Sequence, residues 1–340
     1  MPRVEYLIPR MCYLLMPVLL PLLPLAGSYV LSQTQRRRRF ITGALLLTVL
    51  FSHLAAGLQG SIRFGGLGFL EFSLLGTPFS AIVGVLLSFL LCLAGIFGFE
   101  VIDDKERPYY IWFLLVCAAV QAMVCAGSLP LLLLTWLVTA LGAARLVARK
   151  EGALRPYQIG TLASGALLLA GLVLTVVQGL PTSFLPHPEM TGSAALPAAL
   201  LVAGFVLHAV TCQMTPACAP TSVVLYAVLS TADLFGVLQV VYQLFGIPAL
   251  QGTLLQTAAP ALCMLGALAA AVAAVRCQLL TGRIRFLALS QTGIVLFGLL
   301  ALDPELFTGG MLLLVLGAVC ITTLLLCCAA FRYTQDKTLA

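Results

Sequence analysis

The sequence predicts an all-α polytopic membrane protein with about eleven transmembrane helices. Of its 340 residues, 61% are hydrophobic and only 9% are charged, whereas soluble domains carry about 25% charged residues. The mean hydropathy is +1.09. A bilayer core about 30 Å thick needs about 20 helical residues, and apolar runs of that length recur along the chain. We therefore expect contacts with lipid and no nucleic-acid partner.

The eleven predicted spans are separated by short polar segments. In chain order they cover residues 11–31, 41–59, 79–99, 109–127, 129–148, 157–178, 195–213, 221–245, 254–276, 286–302 and 310–331. No small-residue cleavage site follows the first run, which predicts a retained helix rather than a signal peptide. We divide the chain into N-terminal helices (1–70), a central core (71–246) and a C-terminal part (247–340).

The distribution of basic residues predicts the orientation in the membrane. With the N-terminus outside, fifteen of the eighteen lysines and arginines fall inside, including the cluster from Arg36 to Arg39. Only Arg3, Arg10 and Arg63 fall outside. Because inside loops of membrane proteins are enriched in lysine and arginine, we expect the N-terminus outside and the C-terminus inside. The expected location is a bacterial inner (cytoplasmic) membrane.

The sequence lacks the common catalytic and cofactor motifs. Its eleven cysteines include no Cys-x-x-Cys pair, and the close pairs are Cys212 with Cys218 and Cys327 with Cys328. Cysteine inside an apolar run behaves as a small hydrophobic residue. There is no Walker loop, no dinucleotide-binding glycine pattern and no plausible Ser-His-Asp arrangement. We therefore expect no catalytic residues, no metal and no cofactor.

Polar features inside the predicted spans are concentrated in the seventh and eighth spans. His208 lies in the seventh and Asp233 at the middle of the eighth. Pro216 and Pro220 lie between them and lack an N–H group, which predicts a helix break after about Gln213. A carboxylate at the centre of a membrane helix costs about 2.5 to 3.5 kcal/mol on insertion scales. Asp233 is therefore expected to face a protein interior or a wet cavity.

The sequence leaves three roles open for Asp233. Without a cationic partner the buried carboxyl group is expected to be neutral and to donate a hydrogen bond. Alternatively, Asp233 and His208 exchange a proton across the helix break, which makes these two residues the candidate proton path. Cation binding is the third role. The first makes the chain a scaffold, and the other two make it a transporter.

Five segments are similar, in order and spacing, to antiporter-like membrane subunits. Such subunits occur in respiratory complex I, membrane-bound hydrogenases, multisubunit cation/proton antiporters and inorganic-carbon uptake systems. The segments are LLGTPFSAIVGVLLSFLLCLAGIFGFEVI (74–102) with Tyr109-Tyr110, AAVQAMVCAGSLPLLLLTWLVTALGAARLV (118–147), YQIGTLASGALLLAGLVLTVVQGLPTSF (157–184), His208 with the turn Ala219-Pro220-Thr221, and RIRFLALSQTGIVLFGLLA (283–301). The resemblance implies one complete five-helix repeat, helices four to eight, and an incomplete second repeat.

The chain departs from this family at the charged positions of its proton-pumping members. The glutamate that follows a tryptophan on the fifth helix is Leu137 here. The lysines of the seventh and eighth helices fall on Leu201 and Asp233. The histidine and lysine of the eleventh helix fall near Ala318 and Thr322. The resemblance therefore implies proton conduction that is weakened or lost.

From the resemblance we expect a divergent subunit of a larger proton-translocating assembly related to complex I, of the NADH-quinone oxidoreductase, hydrogenase or inorganic-carbon uptake type. Its expected partners are other integral membrane subunits, which would carry any redox centres, and the chain itself is at most a non-catalytic subunit. Small residues on the ninth helix predict a surface that contacts such a partner; they are Gly266, Ala269, Ala270, Ala273 and Ala274. The alternatives are a purely structural subunit without transport and a stand-alone small-solute transporter with its site at the helix break.

Overall fold

The chain folds as a bundle of apolar helices. The computed structural model describes residues 14–30, 34–55, 60–67, 70–102, 106–184 and 194–339. Within these ranges nine helices are long and apolar enough to cross a membrane. The predicted all-α polytopic fold is confirmed. Lys105, one of the fifteen basic residues predicted to lie inside, and His187, in a loop predicted to lie outside, are beyond the described residues.

Eleven helices follow the order of the eleven predicted spans. They are α1 (Leu23–Val30), α2 (Thr34–Ala55), α3 (Pro78–Val101), α4 (Glu106–Val124), α5 (Leu129–Val147), α6 (Leu154–Val177), α7 (Ala195–Met214), α8 (Thr221–Phe245), α9 (Leu254–Arg276), α10 (Leu280–Leu300) and α11 (Pro304–Leu339). The nine candidate spans of the described residues are α3 to α11. A 3-10 turn, Leu20–Leu22, precedes α1, and the arginine cluster lies in the first turns of α2.

The glycine-rich segment between α2 and α3 forms an antiparallel β-hairpin, with strands β1 (Gly60–Leu67) and β2 (Leu70–Gly76). Strand β2 also bonds to the turn between α4 and α5, where the Gly127 N–H donates to the Ser73 carbonyl at 2.7 Å. A Cβ atom on Gly127 would lie 2.9 Å from Ser73 Oγ. The approach of the turn to β2 therefore requires glycine.

The helices form two compact units, Met1–Arg149 and Lys150–Ala340. In the first unit α4 packs on α3 and α5. The Tyr110 hydroxyl donates to the Gly95 carbonyl at 2.7 Å, and the Arg149 guanidinium lies 5.3 Å from the ring centre of Tyr109. Aromatic and arginine side chains thus join the helices of this unit.

In the second unit α8 is the central helix and is buried over nearly all of its length, with only Tyr242 and Gln243 partly exposed. Helix α7 packs against both α6 and α8, and α10 packs between α9 and α11. A Cβ atom on Gly204 would lie 2.7 Å from Leu168 Cγ, so glycine permits the close approach of α7 to α6. A fully enclosed helix is the place where buried polar side chains meet protein partners rather than lipid.

Some of the small residues of α9 are buried against the rest of the chain, and others are exposed. Ala270 is buried, and a Cβ atom on Gly293 of α10 would lie 2.7 Å from the Cys263 carbonyl of α9. Gly266 has open space around it, and Ala269 is exposed. Part of the stripe therefore serves packing within the chain, and only the rest is free to contact a partner.

Candidate functional site

The helix break lies between α7 and α8. Helix α7 ends at Met214, and Thr215 after it has extended backbone. Pro216 and Pro220 both lie in the non-helical segment that follows, and the Ala219–Pro220 peptide bond is cis. A proline has no N–H to continue the ladder of α7, and α8 can start only after the second proline.

Protein groups satisfy the backbone at this break. The Tyr226 hydroxyl donates to the Thr215 carbonyl at 2.7 Å and accepts from the Ala217 N–H at 3.3 Å. Arg285 Nη1 donates to the Met214 carbonyl at 3.2 Å. Because backbone groups at membrane depth need partners, these bonds explain how an irregular segment is stable here.

His208 of α7 and Asp233 of α8 form a direct hydrogen bond. His208 Nδ1 lies 2.7 Å from Asp233 Oδ2, and the two side chains are 1% and 2% exposed. Asp233 therefore has a basic group as its hydrogen-bond partner, and its protonation stays open between the readings that the sequence allows. Two ionisable groups in neighbouring buried helices stabilise each other, since each removes the cost of leaving the other unpaired.

Segments of π-helix flank the part of α8 that carries Asp233. Val224–Leu229 and Gln239–Phe245 are π-helical, whereas Ser230–Leu238 is α-helical. The wider π turns change the rotation of the chain about the helix axis, and such bulges occur frequently at functional sites. They help to set the direction in which the carboxylate points, and the sequence contains no simple signal for them.

Two further residues lie next to His208, and neither was predicted from the sequence to contact the pair. The Tyr157 hydroxyl of α6 lies 3.4 Å from His208 Nε2. Cys212 Sγ lies 3.8 Å from the same nitrogen. Cys212 follows His208 by four residues, a spacing that places both on one helix face and could have been used. Tyr157 is 51 residues away in sequence, and no local pattern indicates the contact.

The geometry permits two protonation states of equal net charge. The pair is either imidazole with carboxylic acid or imidazolium with carboxylate, and one proton moved along the 2.7 Å bond converts them. In both states Nε2 carries a proton, so it can donate to the Tyr157 hydroxyl oxygen 3.4 Å away. A buried pair can thus shift a proton without creating an unpaired charge.

The described residues include one group of side chains whose spacing could suit a metal ion. It consists of His208, Cys212 and Asp233. Their potential ligand atoms lie within 4.8 Å of one another. The imidazole and the carboxylate already satisfy each other by a hydrogen bond, so the packing of this group is explained without an ion. The expectation of no metal and no cofactor stays a prediction.

The other positions that the resemblance singled out carry no charge. Leu137 is exposed, and Leu201 is completely buried. The Thr322 hydroxyl donates to the Ala318 carbonyl of its own helix at 2.8 Å. None of these three side chains extends the His208–Asp233 pair.

Two solved membrane complexes contain chains of the same fold. One chain belongs to the membrane-bound sulfane sulfur reductase, an archaeal respiratory membrane complex, with a TM-score of 0.76 and 18% identity over 92% of this chain and 69% of that chain. This match decides the fold. The chain has the same polytopic helical fold as this neighbour.

The second neighbour belongs to the Mrp complex from a Dietzia species, with a TM-score of 0.73 and 18% identity. The match covers 95% of this chain but only 37% of the longer Dietzia chain. No family model and no curated protein matches the sequence. At this identity the two likenesses establish the architecture alone.

Removing one member of the pair is expected to destabilise the chain. Asp233→Leu or His208→Leu leaves the other buried group without this hydrogen bond. The free energy of unfolding should fall by about 1 to 3 kcal/mol if the remaining group is neutral and by about 3 to 5 kcal/mol if it is charged. The double variant His208→Leu/Asp233→Leu removes both polar groups and leaves none without its partner. Its loss of stability should therefore be smaller than the sum of the losses in the two single variants. Thermal unfolding in lipid nanodiscs measures this, and strictly additive losses would contradict the pairing.

Proposed function

We propose that the chain is an antiporter-like membrane subunit of a larger complex and that other integral membrane subunits are its partners. The observation that carries this proposal is the match over 92% of the chain to a subunit-sized chain of a respiratory membrane complex. The sequence resemblance supports the finer assignment to a proton-translocating assembly related to complex I, of the NADH-quinone oxidoreductase, hydrogenase or inorganic-carbon uptake type.

In this proposal, proton conduction through the chain is weakened or lost. A proton path across a membrane needs a succession of ionisable groups and water near mid-depth. Among the described residues of the second unit, His208 and Asp233 are the only buried side chains of the aspartate, glutamate, histidine, lysine and arginine types. One pair supplies one exchange step, and Leu201 and Thr322 supply none. The chain then acts mainly as a scaffold for its partners.

A second candidate function is proton exchange by the pair itself. The 2.7 Å contact between His208 and Asp233, with the Tyr157 hydroxyl on the other ring nitrogen, favours it. Such a step needs no new charge in the low-dielectric interior, since the proton moves within a neutral pair. A working, minimal proton path would use this step together with water or groups of partner subunits.

Purification of the tagged chain tests the proposed assembly. We expect the full chain, extracted from native membranes in mild detergent, to bring several other membrane subunits in fixed ratio, which mass spectrometry identifies. The same tag on an unrelated polytopic protein of equal expression controls for detergent carry-over. A single species without partners under several mild conditions would contradict the assignment to a complex.

The proposed orientation is tested separately, because it follows from the charge distribution alone. Reporter fusions after Arg149 and after Gly179, which lie just beyond the ends of α5 and α6, should report opposite sides of the membrane, with Arg149 inside. A C-terminal fusion after Ala340 should report the inside. Reports of the same side for Arg149 and Gly179 would refute the predicted topology.

Asp233→Asn separates scaffolding from proton exchange. Asparagine keeps most of the hydrogen bonding of the carboxyl group but cannot gain or lose a proton. If the chain is a scaffold, the substitution should be tolerated. If Asp233 carries protons, proton-coupled activity should be lost. We expect complex yield and proton-coupled activity close to those of the native complex. The measurement is proton uptake by proteoliposomes that contain the assembled complex.

Asp303→Asn is the matched control for this substitution. Asp303 is exposed, and its carboxylate accepts bonds from the Glu305 and Leu306 N–H groups at the start of α11. The same chemical change there tests for general damage. Proton uptake that is lost in Asp233→Asn, with normal complex yield and a normal Asp303→Asn control, would establish the second candidate instead.

A further inference from the structure

A small cavity with both polar and apolar lining lies beside the helix break, within the second unit. The end of α7, the first half of α8, α10 and α11 surround it, and its volume is about 20 Å³. Gln213, Tyr226, Thr231, Thr292 and Ala318 are among its lining residues. The His208–Asp233 pair is not part of this lining, so the cavity is a separate feature.

Gln213 gives the cavity its chemical character. The side chain is 1% exposed, and Nε2 donates to Thr292 Oγ1 at 2.7 Å and to the Ala288 carbonyl at 3.5 Å. Because both acceptors contact Nε2, the orientation of the amide group is defined, and Oε1 contacts neither acceptor. Gln213 Oε1 is buried without a hydrogen-bond partner in the described part of the chain. An unsatisfied buried acceptor costs about 1 to 3 kcal/mol, so a ligand that donates to it is stabilising.

The size and charge of the cavity define this ligand. A water molecule needs at least about 10 to 15 Å³ of such volume, so 20 Å³ admits one water and no larger solute. None of the described lining residues carries a charge, so a bare cation would find no counter-charge there. Hydroxyl groups of Thr231 and Thr292 line the same space and can donate. We propose that this cavity binds one water molecule, which donates a hydrogen bond to Gln213 Oε1.

The bound water has a defined structural effect. It completes the hydrogen bonding of the last turn of α7 and joins that turn to α10, while the Tyr226 hydroxyl holds the Thr215 carbonyl from the other side of the break. The break is thus fixed by polar contacts on both flanks. The space beside it admits a single water and leaves no room for a transported solute, which weighs against a stand-alone solute transporter with its site here.

A cavity-filling substitution distinguishes a wet cavity from a dry one. Ala318→Leu adds apolar volume to the lining. If water is bound, the leucine expels it and leaves Gln213 Oε1 unsatisfied, so the thermal-unfolding midpoint of the full chain in nanodiscs should fall by a few degrees. In a Gln213→Leu background no acceptor remains, and Ala318→Leu should no longer lower the midpoint. Ala269→Leu on the exposed face of α9 is the matched control, with no expected change.

The unmodified chain provides a second readout that does not depend on any variant. A cryo-electron microscopy map of the chain, alone or in its complex, should show one density peak within hydrogen-bond distance of Gln213 Oε1. An empty cavity in a map that resolves other buried waters would overturn the proposal. So would an unchanged or higher midpoint in Ala318→Leu, since filling a dry cavity stabilises a protein. A midpoint that rises with sodium or potassium and falls in Gln213→Leu would assign the site to a cation instead.

Discussion

The hydrogen bond between His208 and Asp233 is the interaction on which the interior of the second unit depends. Each group is more than 97% buried, and each would be costly without the other. As imidazole with carboxylic acid or as imidazolium with carboxylate, the pair carries no net charge, which lowers the cost of burying this part of α8. The bond also limits what the chain can do, because an exchange within one neutral pair is a single step and not a path.

The helix break and the pair belong to one arrangement. α7 stops at Met214, and the Tyr226 hydroxyl and Arg285 take up the carbonyls that the break exposes. The chain reverses at the break, so that α8 packs directly on α7. The return brings Asp233 opposite His208. The irregular segment therefore determines which side chains can meet.

The helical framework was accessible from the sequence because hydrophobic length alone predicts membrane spans. Ionisable residues are rare in such spans, which made His208 and Asp233 visible as candidates. A contact between them was one of the readings that the sequence left open, and the sequence could not decide it because the rotation of α8 depends on two π-helical segments that leave no simple pattern. The contact of Tyr157 with His208 was missed for a similar reason, because helix packing brings together residues that are distant in sequence. The sequence also could not show that Gln213 Oε1 has no hydrogen-bond partner, because this depends on which groups the side-chain nitrogen contacts in the fold.

Nitrogen-15 NMR of the histidine side chains tests the central interaction most directly. The chain has only three histidines, so selective labelling gives a spectrum that substitution can assign. We predict that the Nδ1 of His208 has the chemical shift of a nitrogen strongly hydrogen-bonded to a carboxyl group, and that Asp233→Leu abolishes this signature while the other two histidines keep theirs. A His208 signal that is the same in the native chain and in Asp233→Leu would contradict the account.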